Sequence, residues 1–194
     1  MGKIIIKFAD TSDLVFVKDV EAAIIKASEQ KGTGIAVRSQ EYITGKILEG
    51  KAIMAKTEEG TWAGFCYIES WGHNRFVANS GLIVNEAFRG NGLAKSIKSK
   101  AFELSQKLFP GAKLFGITTS LAVMKINSDL GYKPVTISEL TDDEEFWKGC
   151  QTCPYYDILV RTKRSHCLCT AMLLDPAKQD KKQNADSKTQ KKSF

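Results

Sequence analysis

The segment Gly81-Leu-Ile-Val-Asn85-Glu-Ala-Phe-Arg89-Gly90-Asn91-Gly92-Leu93-Ala94 concentrates the residues best suited to chemistry in this chain. Apolar, strand-like residues run into a basic glycine-rich turn, and a helical pattern follows. Two glycines at a helix start let the backbone turn sharply and leave the first N–H groups uncovered. Those N–H groups and the positive end of the helix dipole make an anion site. Arg89 adds a full charge at its mouth, and a diphosphate is the expected guest. Other phosphate-binding patterns do not fit. The chain has no G-x-x-x-x-G-K-S/T stretch, and no G-x-G-x-x-G follows its first strand. A plain turn at Gly90 and Gly92 accounts for the residues locally, so the surrounding elements must decide.

Three further groups carry candidate chemistry. Glu69, His73 and Glu86 can each take a proton from an ammonium. Arg38, Arg75 and Lys125 can each hold a carboxylate, with Arg38 able to do so bidentately. Five cysteines complete the set. Cys66 stands alone in an apolar run and is expected in the core. Cys150-x2-Cys153 and Cys167-x-Cys169, thirteen residues apart, could hold one zinc tetrahedrally with His166 as a spare ligand. Against this, residues 167–169 fall in a strand-like run, whereas a chelating C-x-C wants a turn. The expectation is reduced, partly buried cysteines and no metal.

The elements that must position these groups follow from apolar spacing. A strand over 3–8 leads into a helix capped by Thr11 or Ser12, with Leu14, Val17, Val20, Ile24 and Ala27 on one face. A loop over 32–38 precedes a short helix capped by Ser39. Strands over 51–56, 61–69 and 75–84 are joined by short turns and should be antiparallel neighbours. Leu93, Ile97, Ala101, Leu104 and Leu108 then form one stripe of an amphipathic helix, with its four lysines mostly outside. A strand over 112–118 follows, then a helix capped by Ser120 and stopped by Gly131. Further strands are expected over 134–137, 155–161 and 167–174, and a helix or loop over the acidic stretch between residues 138 and 150. This order gives one mixed α/β domain over 1–175.

The 194 residues carry a formal charge of +6. Six lysines and two aspartates lie in 176–194, so the tail holds +4 and the other 175 residues only +2. The basic character is a property of the tail, not of a folded face, which argues against nucleic acid as a partner. The tail is lysine-rich and is expected to be disordered. No apolar run reaches membrane-spanning length, and residues 1–3 open directly into a strand-like run. A cytoplasmic protein without a membrane partner is expected, acting as a single chain or a homodimer.

Arg89-Gly90-Asn91-Gly92-Leu93-Ala94 resembles the Arg/Gln-x-x-Gly-x-Gly/Ala signature of the GCN5-related N-acetyltransferases (GNAT). Leu130-Gly131-Tyr132, closing the later helix, is similar to the Leu-Gly-Phe of that family, and the likeness spans residues 3 to 137. The resemblance implies a mostly antiparallel central sheet flanked by helices, with a splayed parallel strand pair. It implies acetyl-CoA as cofactor, its diphosphate on Arg89 through Ala94. Its pantetheine arm would meet the backbone at Leu82 and Val84, and the Ile83 N–H would donate to the thioester oxygen. Ser120 would bind the cofactor or cap its helix. The family often has a tyrosine as general acid where this chain has Asn127, and asparagine can hydrogen-bond but cannot act as an acid. Glu69, at the end of a central strand, sits where the family often places its base. The implied activity is direct acetyl transfer to the amine of a small acceptor. Arg38, helped by Arg75 or Lys125, favours an acidic or amino-acid acceptor over a polyamine. The runs Gly32 to Arg38, Phe65 to Gly72, Met124 to Tyr132 and Phe146 to Cys150 are similar to a bacterial subgroup associated with arginine biosynthesis and with acetylation of glutamate. A protein or peptide N-acetyltransferase and a non-catalytic acyl-CoA-binding regulatory domain are the alternatives.

Overall fold

The computed structural model describes residues 2–178. Strand β1 (Ile4–Phe8) leads through a 3-10 turn, Thr11–Phe16, into helix α1 (Val17–Ser28). Asp10 makes the cap, in place of the expected Thr11 or Ser12. Its side chain accepts from the Ser12 N–H, and Asp13 reaches back to the Asp10 N–H at 3.0 Å. Lys7 and Lys56 hold these two carboxylates in place, so the reciprocal cap forms one residue early. Ser39 caps α2 (Gln40–Leu48) as its sequence position predicts.

Strands β2 (Ala52–Thr57), β3 (Trp62–Trp71) and β4 (Phe76–Val84) form the antiparallel meander. Helix α3 (Leu93–Leu108) crosses back to β5 (Lys113–Thr118), which runs parallel to β4. Helix α4 (Leu121–Asp129), strand β6 (Lys133–Val135), helices α5 (Glu144–Lys148) and α6 (Tyr156–Arg161) and strand β7 (Thr170–Leu174) complete the chain. Among the described residues one seven-stranded sheet has the order β1-β2-β3-β4-β5-β7-β6. Every neighbouring pair is antiparallel except β4–β5.

The sheet is covered on both faces. Ile97, Ala101 and Leu104 of α3 pack on Ile53, Ala63 and Ile68. On the other face Val20, Ile24, Ile43 and Ile47 of α1 and α2 pack on Met54 and Phe65. Ile24, Ile43 and Ile97 are fully buried, each contributing roughly 1.5–3 kcal/mol of hydrophobic stabilisation.

Three strand expectations change. Residues 155–161 form a helical turn instead. Leu159 is buried while Val160 beside it is 55% exposed, so this apolar run covers the core with a single residue and has no second face to pair. The strand expected over 167–174 begins only at Thr170, leaving Cys167 and Cys169 ahead of it. The strand expected over 134–137 ends at Val135, because Thr136 and Glu139 form a capping box that starts a 3-10 turn. Residues 176–178 follow β7 as the start of a helical turn, with the Asp175 side chain accepting from the Ala177 N–H. The rest of the expected tail, from residue 179 on, lies outside the described residues.

Two local features shape the centre. Tyr67 pairs with Ser80 and Phe65 with Ile83, so Gly81 and Leu82 together oppose Cys66 in a bulge. Gly81 has φ +62, and a Cβ there would lie 2.5 Å from Cε1 of the Tyr67 ring; only glycine fits. The parallel pair is short, joining Phe76–Ala78 to Lys113–Phe115. Beyond those residues β4 and β5 diverge.

Candidate active site

A cavity of about 330 Å³ lies where the two strands part. Asn79, Ser80, Gly81 and Leu82 form its β4 wall. Gly116 to Ser120, with Val123 and Asn127 of α4, form the opposite wall. Ser120 accepts from the Val123 N–H at 3.4 Å, so it caps α4 and lines the cavity at once. The α1–α2 loop and the segment around α5 and α6 make a roof. The Gly34 N–H donates to Thr119 Oγ1 at 3.1 Å, and Thr152 Oγ1 donates to the Val37 carbonyl at 3.1 Å, tying that roof to β5 and to itself.

The glycine loop stands at the start of α3, as its spacing predicts. Gly90 and Gly92 have φ +84 and +75, which glycine adopts without strain. A Cβ at either would meet nothing within 4 Å. Gly92 is the N-cap, and no side chain caps the helix. Leu93 is buried and Ala94 packs on the core, so the first turn is anchored while the loop stays open. Arg89 is half-exposed; its Nε donates to the Val84 carbonyl at 3.1 Å, which orients the guanidinium. Asn91 Nδ2 donates to the Arg89 carbonyl at 3.4 Å. Neither this loop nor Ile83 nor Val84 belongs to the cavity lining, which on β4 stops at Leu82. Ile83 pairs with Phe65 and buries its side chain on the α1–α2 face.

Deep between the strands the polar groups converge. A Cβ on Gly116 would lie 3.6 Å from the Asn79 carbonyl oxygen, 3.7 Å from Asn127 Nδ2 and 3.8 Å from Lys98 Nζ. Asn127 is buried; its Nδ2 donates to Met172 Sδ at 3.7 Å, and its Oδ1 has no hydrogen-bond partner among the described residues. Lys98 is 2% exposed, and its Nζ donates to the Asn79 carbonyl at 3.2 Å. Burial pushes the Lys98 ammonium below its ordinary pKa of 10.5. Tyr132 is a core residue whose OH donates to Asn79 Oδ1 at 3.0 Å. The sequence pattern leaves the four lysines of α3 mostly outside its apolar stripe and does not single out Lys98 as a site residue. The available signal was helical spacing: Ala94, Lys98, Ala101 and Ser105 fall on one face, beside the apolar stripe.

Only one of the three expected carboxylate-holding cations reaches the cavity. Arg38 lines it, its Nε donating to Tyr67 Oη at 3.0 Å and its Nη1 to the Gly149 carbonyl at 3.0 Å. Its guanidinium stacks over Tyr42, 5.2 Å from the ring centre. Arg75 instead bonds Gly72 in the β3–β4 turn, and Lys125 is exposed beside Asp129. The proton-accepting candidates also lie elsewhere. Glu69 is ion-paired to Lys46 and Lys51, Glu86 to Lys26, and His73 sits in a turn with φ +57. Among the described residues, the cavity lining includes Lys31, Arg38 and Lys98 but no carboxylate and no histidine.

Cys150, Cys153, Cys167 and Cys169 all line the roof as free thiols. Their meeting at one place was not legible from two separate pairs. Among the described residues no group of three or more His, Cys, Asp or Glu side chains is arranged to hold a metal. The neighbouring Cys169 thiol holds Cys167 below the usual thiol range, and burial raises Cys150 to about 11.

No protein-family model matches the sequence, and no curated protein matches it. Solved structures do match the fold. A GNAT superfamily phosphinothricin acetyltransferase from Sinorhizobium meliloti, in complex with acetyl-CoA, is 14% identical, with a TM-score of 0.58 over 89% of this chain and 88% of its own. The diaminobutyrate acetyltransferase EctA from Paenibacillus lautus, in complex with L-2,4-diaminobutyric acid and coenzyme A, is 12% identical, with a TM-score of 0.60 over 91% and 96%. N-acetylglutamate synthase from Neisseria gonorrhoeae, complexed with coenzyme A and N-acetyl-glutamate, is 14% identical, with a TM-score of 0.64 over 90% of this chain. The match spans only 35% of that synthase's length. The fold is therefore that of the GNAT acetyltransferases.

Proposed function

We propose that the protein moves an acetyl group from acetyl-CoA directly to the amine of a small acidic acceptor, an amino acid such as glutamate. The observation that carries this reading is the roofed cavity at the β4–β5 splay, cationic and free of carboxylates among its described lining residues. Cations without counter-ions favour an acceptor that brings its own negative charge.

The residues present fit the cofactor. An uncapped helix start behind two open glycines suits a diphosphate. Arg89 and the N–H groups of Leu93 and Ala94 would hold it, with Gly90 and Asn91 shaping the loop. The unpartnered Asn127 Oδ1 suits an amide N–H of the pantetheine arm, whose other bonds fall to the backbone at Leu82 and Val84. Ser120 closes that side. When bound, the cofactor supplies an activated acetyl thioester. Ile83 is paired with Phe65 of β3 and lies off the cavity lining, so a donor role for its N–H toward the carbonyl oxygen would require that pairing to open beside the bulge at Gly81 and Leu82. Arg38, fixed by Tyr67 and Gly149, orients the acceptor's carboxylate. The acceptor reacts as its neutral amine and sheds its proton to water, since Glu69 is committed to two lysines.

The test is thiol release from acetyl-CoA over a panel of amino acids and diamines. Glutamate or aspartate should give the highest kcat/KM, and Arg38→Met should lower it mainly through KM for the acceptor. A dicationic amine turned over in preference to both acids would overturn the acceptor class. Loss of turnover with every amine would overturn the enzymatic reading.

A further inference from the structure

A thiolate leaves when an amine takes an acyl group from a thioester, and it must be neutralised. Asn127 has no proton to give as an acid. The Tyr132 hydroxyl is spent on Asn79 and does not line the cavity. Lys98 is different. It projects from α3, behind the sheet, and emerges between β4 and β5 just past their last paired residues, Ala78 and Phe115. Gly116 has no side chain to cover it. A group placed against Gly116 meets Lys98 and Asn127 from a similar distance, 3.8 and 3.7 Å for a single added carbon. The ammonium has three donors, and one accounts for its bond to the Asn79 carbonyl. No carboxylate within salt-bridge distance accompanies it among the described residues. Its titratable neighbour is the Cys66 thiol, which burial keeps neutral by raising it to about 11. A buried cation left with spare donors beside a cleft costs stability, and stabilising charge that develops there is a use that offsets the cost.

We propose that Lys98 is the general acid of the transfer, protonating the departing coenzyme A thiolate. This rests on the acetyltransferase reading above. The acceptor nitrogen bonds to the thioester carbonyl carbon. The carbon–sulfur bond breaks with its electron pair passing to sulfur, and Lys98 Nζ–H gives its proton to that sulfur. Lys98 is left as a neutral amine. The proton shed by the newly acylated nitrogen returns to Nζ through water, so no proton is gained or lost. The depressed Lys98 pKa brings the ammonium closer to a thiol's and so makes it a better matched donor.

Lys98→Met keeps a linear, unbranched chain and removes the charge, so folding is expected to survive. Two readouts decide. The first needs no turnover: coenzyme A is bound to the protein and its thiolate absorbance is titrated, with desulfo-coenzyme A as the blank. An ammonium at this distance should hold the bound thiol about 1 pKa unit or more below its value in Lys98→Met. The second is kcat, expected to fall roughly 10²- to 10⁴-fold in Lys98→Met with KM for acetyl-CoA little changed. Lys98→Arg separates charge from acidity. It should keep the bound thiol's pKa low yet leave kcat depressed, because a guanidinium does not release its proton. If arginine does not fit, the methionine variant decides alone. An unmoved thiol titration or an unchanged kcat in Lys98→Met overturns the proposal while leaving the acetyltransferase reading intact. Full kcat in a folded Lys98→Arg overturns the acid role as well. Failure of the unaltered protein to bind coenzyme A overturns both readings together.

Discussion

Lys98 and Glu69 show how much a residue's meaning depends on what surrounds it. Both are charged groups on core elements. Glu69 is met by Lys46 from α2 and by Lys51 just ahead of β2, so its carboxylate is neutralised in place. Neither lysine is near it in sequence, and the strand-end position alone suggested a free base. Lys98 is buried without such a partner, and its cost should be measurable. The ordinary pKa of 10.5 applies to the unfolded chain, and burial lowers the folded value. Below the folded value both states hold the proton, and the native state bears the full cost. Between the folded value and 10.5 the unfolded chain still holds its proton and the native one has released it, so stability rises with pH across that window. Lys98→Met removes the group from both states. It should therefore be more stable than the unaltered protein near neutral pH, by about 1–4 kcal/mol, with the gain shrinking as pH climbs toward 10.5. Urea unfolding at a neutral and an alkaline pH checks this; a gain that grows with pH would contradict the buried-ammonium account.

At the scale of elements, the legible parts were those fixed by local chemistry. Gly90 and Gly92 at positive φ, Ser39 and Ser120 as caps and Gly131 as a stop act within a turn of their own position. They fixed α2, α3 and α4 closely, and with them the loop and the splay. The C-terminal third was less legible. Its helices α5 and α6 have five and six residues, too short for apolar spacing to separate helix from strand. Strand β7 inserts between β5 and β6, a long-range pairing with no local signature. The glycine loop yields the sharpest test at this scale. Gly92→Val forces a β-branched residue to φ +75, a strain of about 1–3 kcal/mol at the anion site itself. Coenzyme A affinity should fall at least about tenfold, measured by calorimetry. Arg89→Met should weaken coenzyme A more than it weakens desphospho fragments lacking the diphosphate. Undiminished affinity in both variants would move the cofactor off this loop.

At the scale of the whole molecule, charge is sorted by place. The 175 residues before Pro176 have a net charge of only +2, yet the cavity lining includes Lys31, Arg38 and Lys98 without a carboxylate among the described residues. Three acids on the surrounding elements are ion-paired outside it: Asp13 by Lys7 and Lys56, Glu69 by Lys46 and Lys51, Glu86 by Lys26. Focusing of a field depends on which charges face a low-dielectric cleft more than on the molecule's total. The lysines of 179–194 contribute to the total, whereas the roof and the two strand walls define the cleft. Ending the chain after Lys178 removes five lysines and two aspartates, a loss of three units of net charge. If the cleft's own cations govern recognition, the shortened chain should keep its coenzyme A affinity and its preference among acceptors, with kcat/KM within about twofold of the full chain at physiological salt, where screening acts over about 8 Å. A large drop that salt abolishes would instead make the tail part of the binding field and return polyanions to the range of partners.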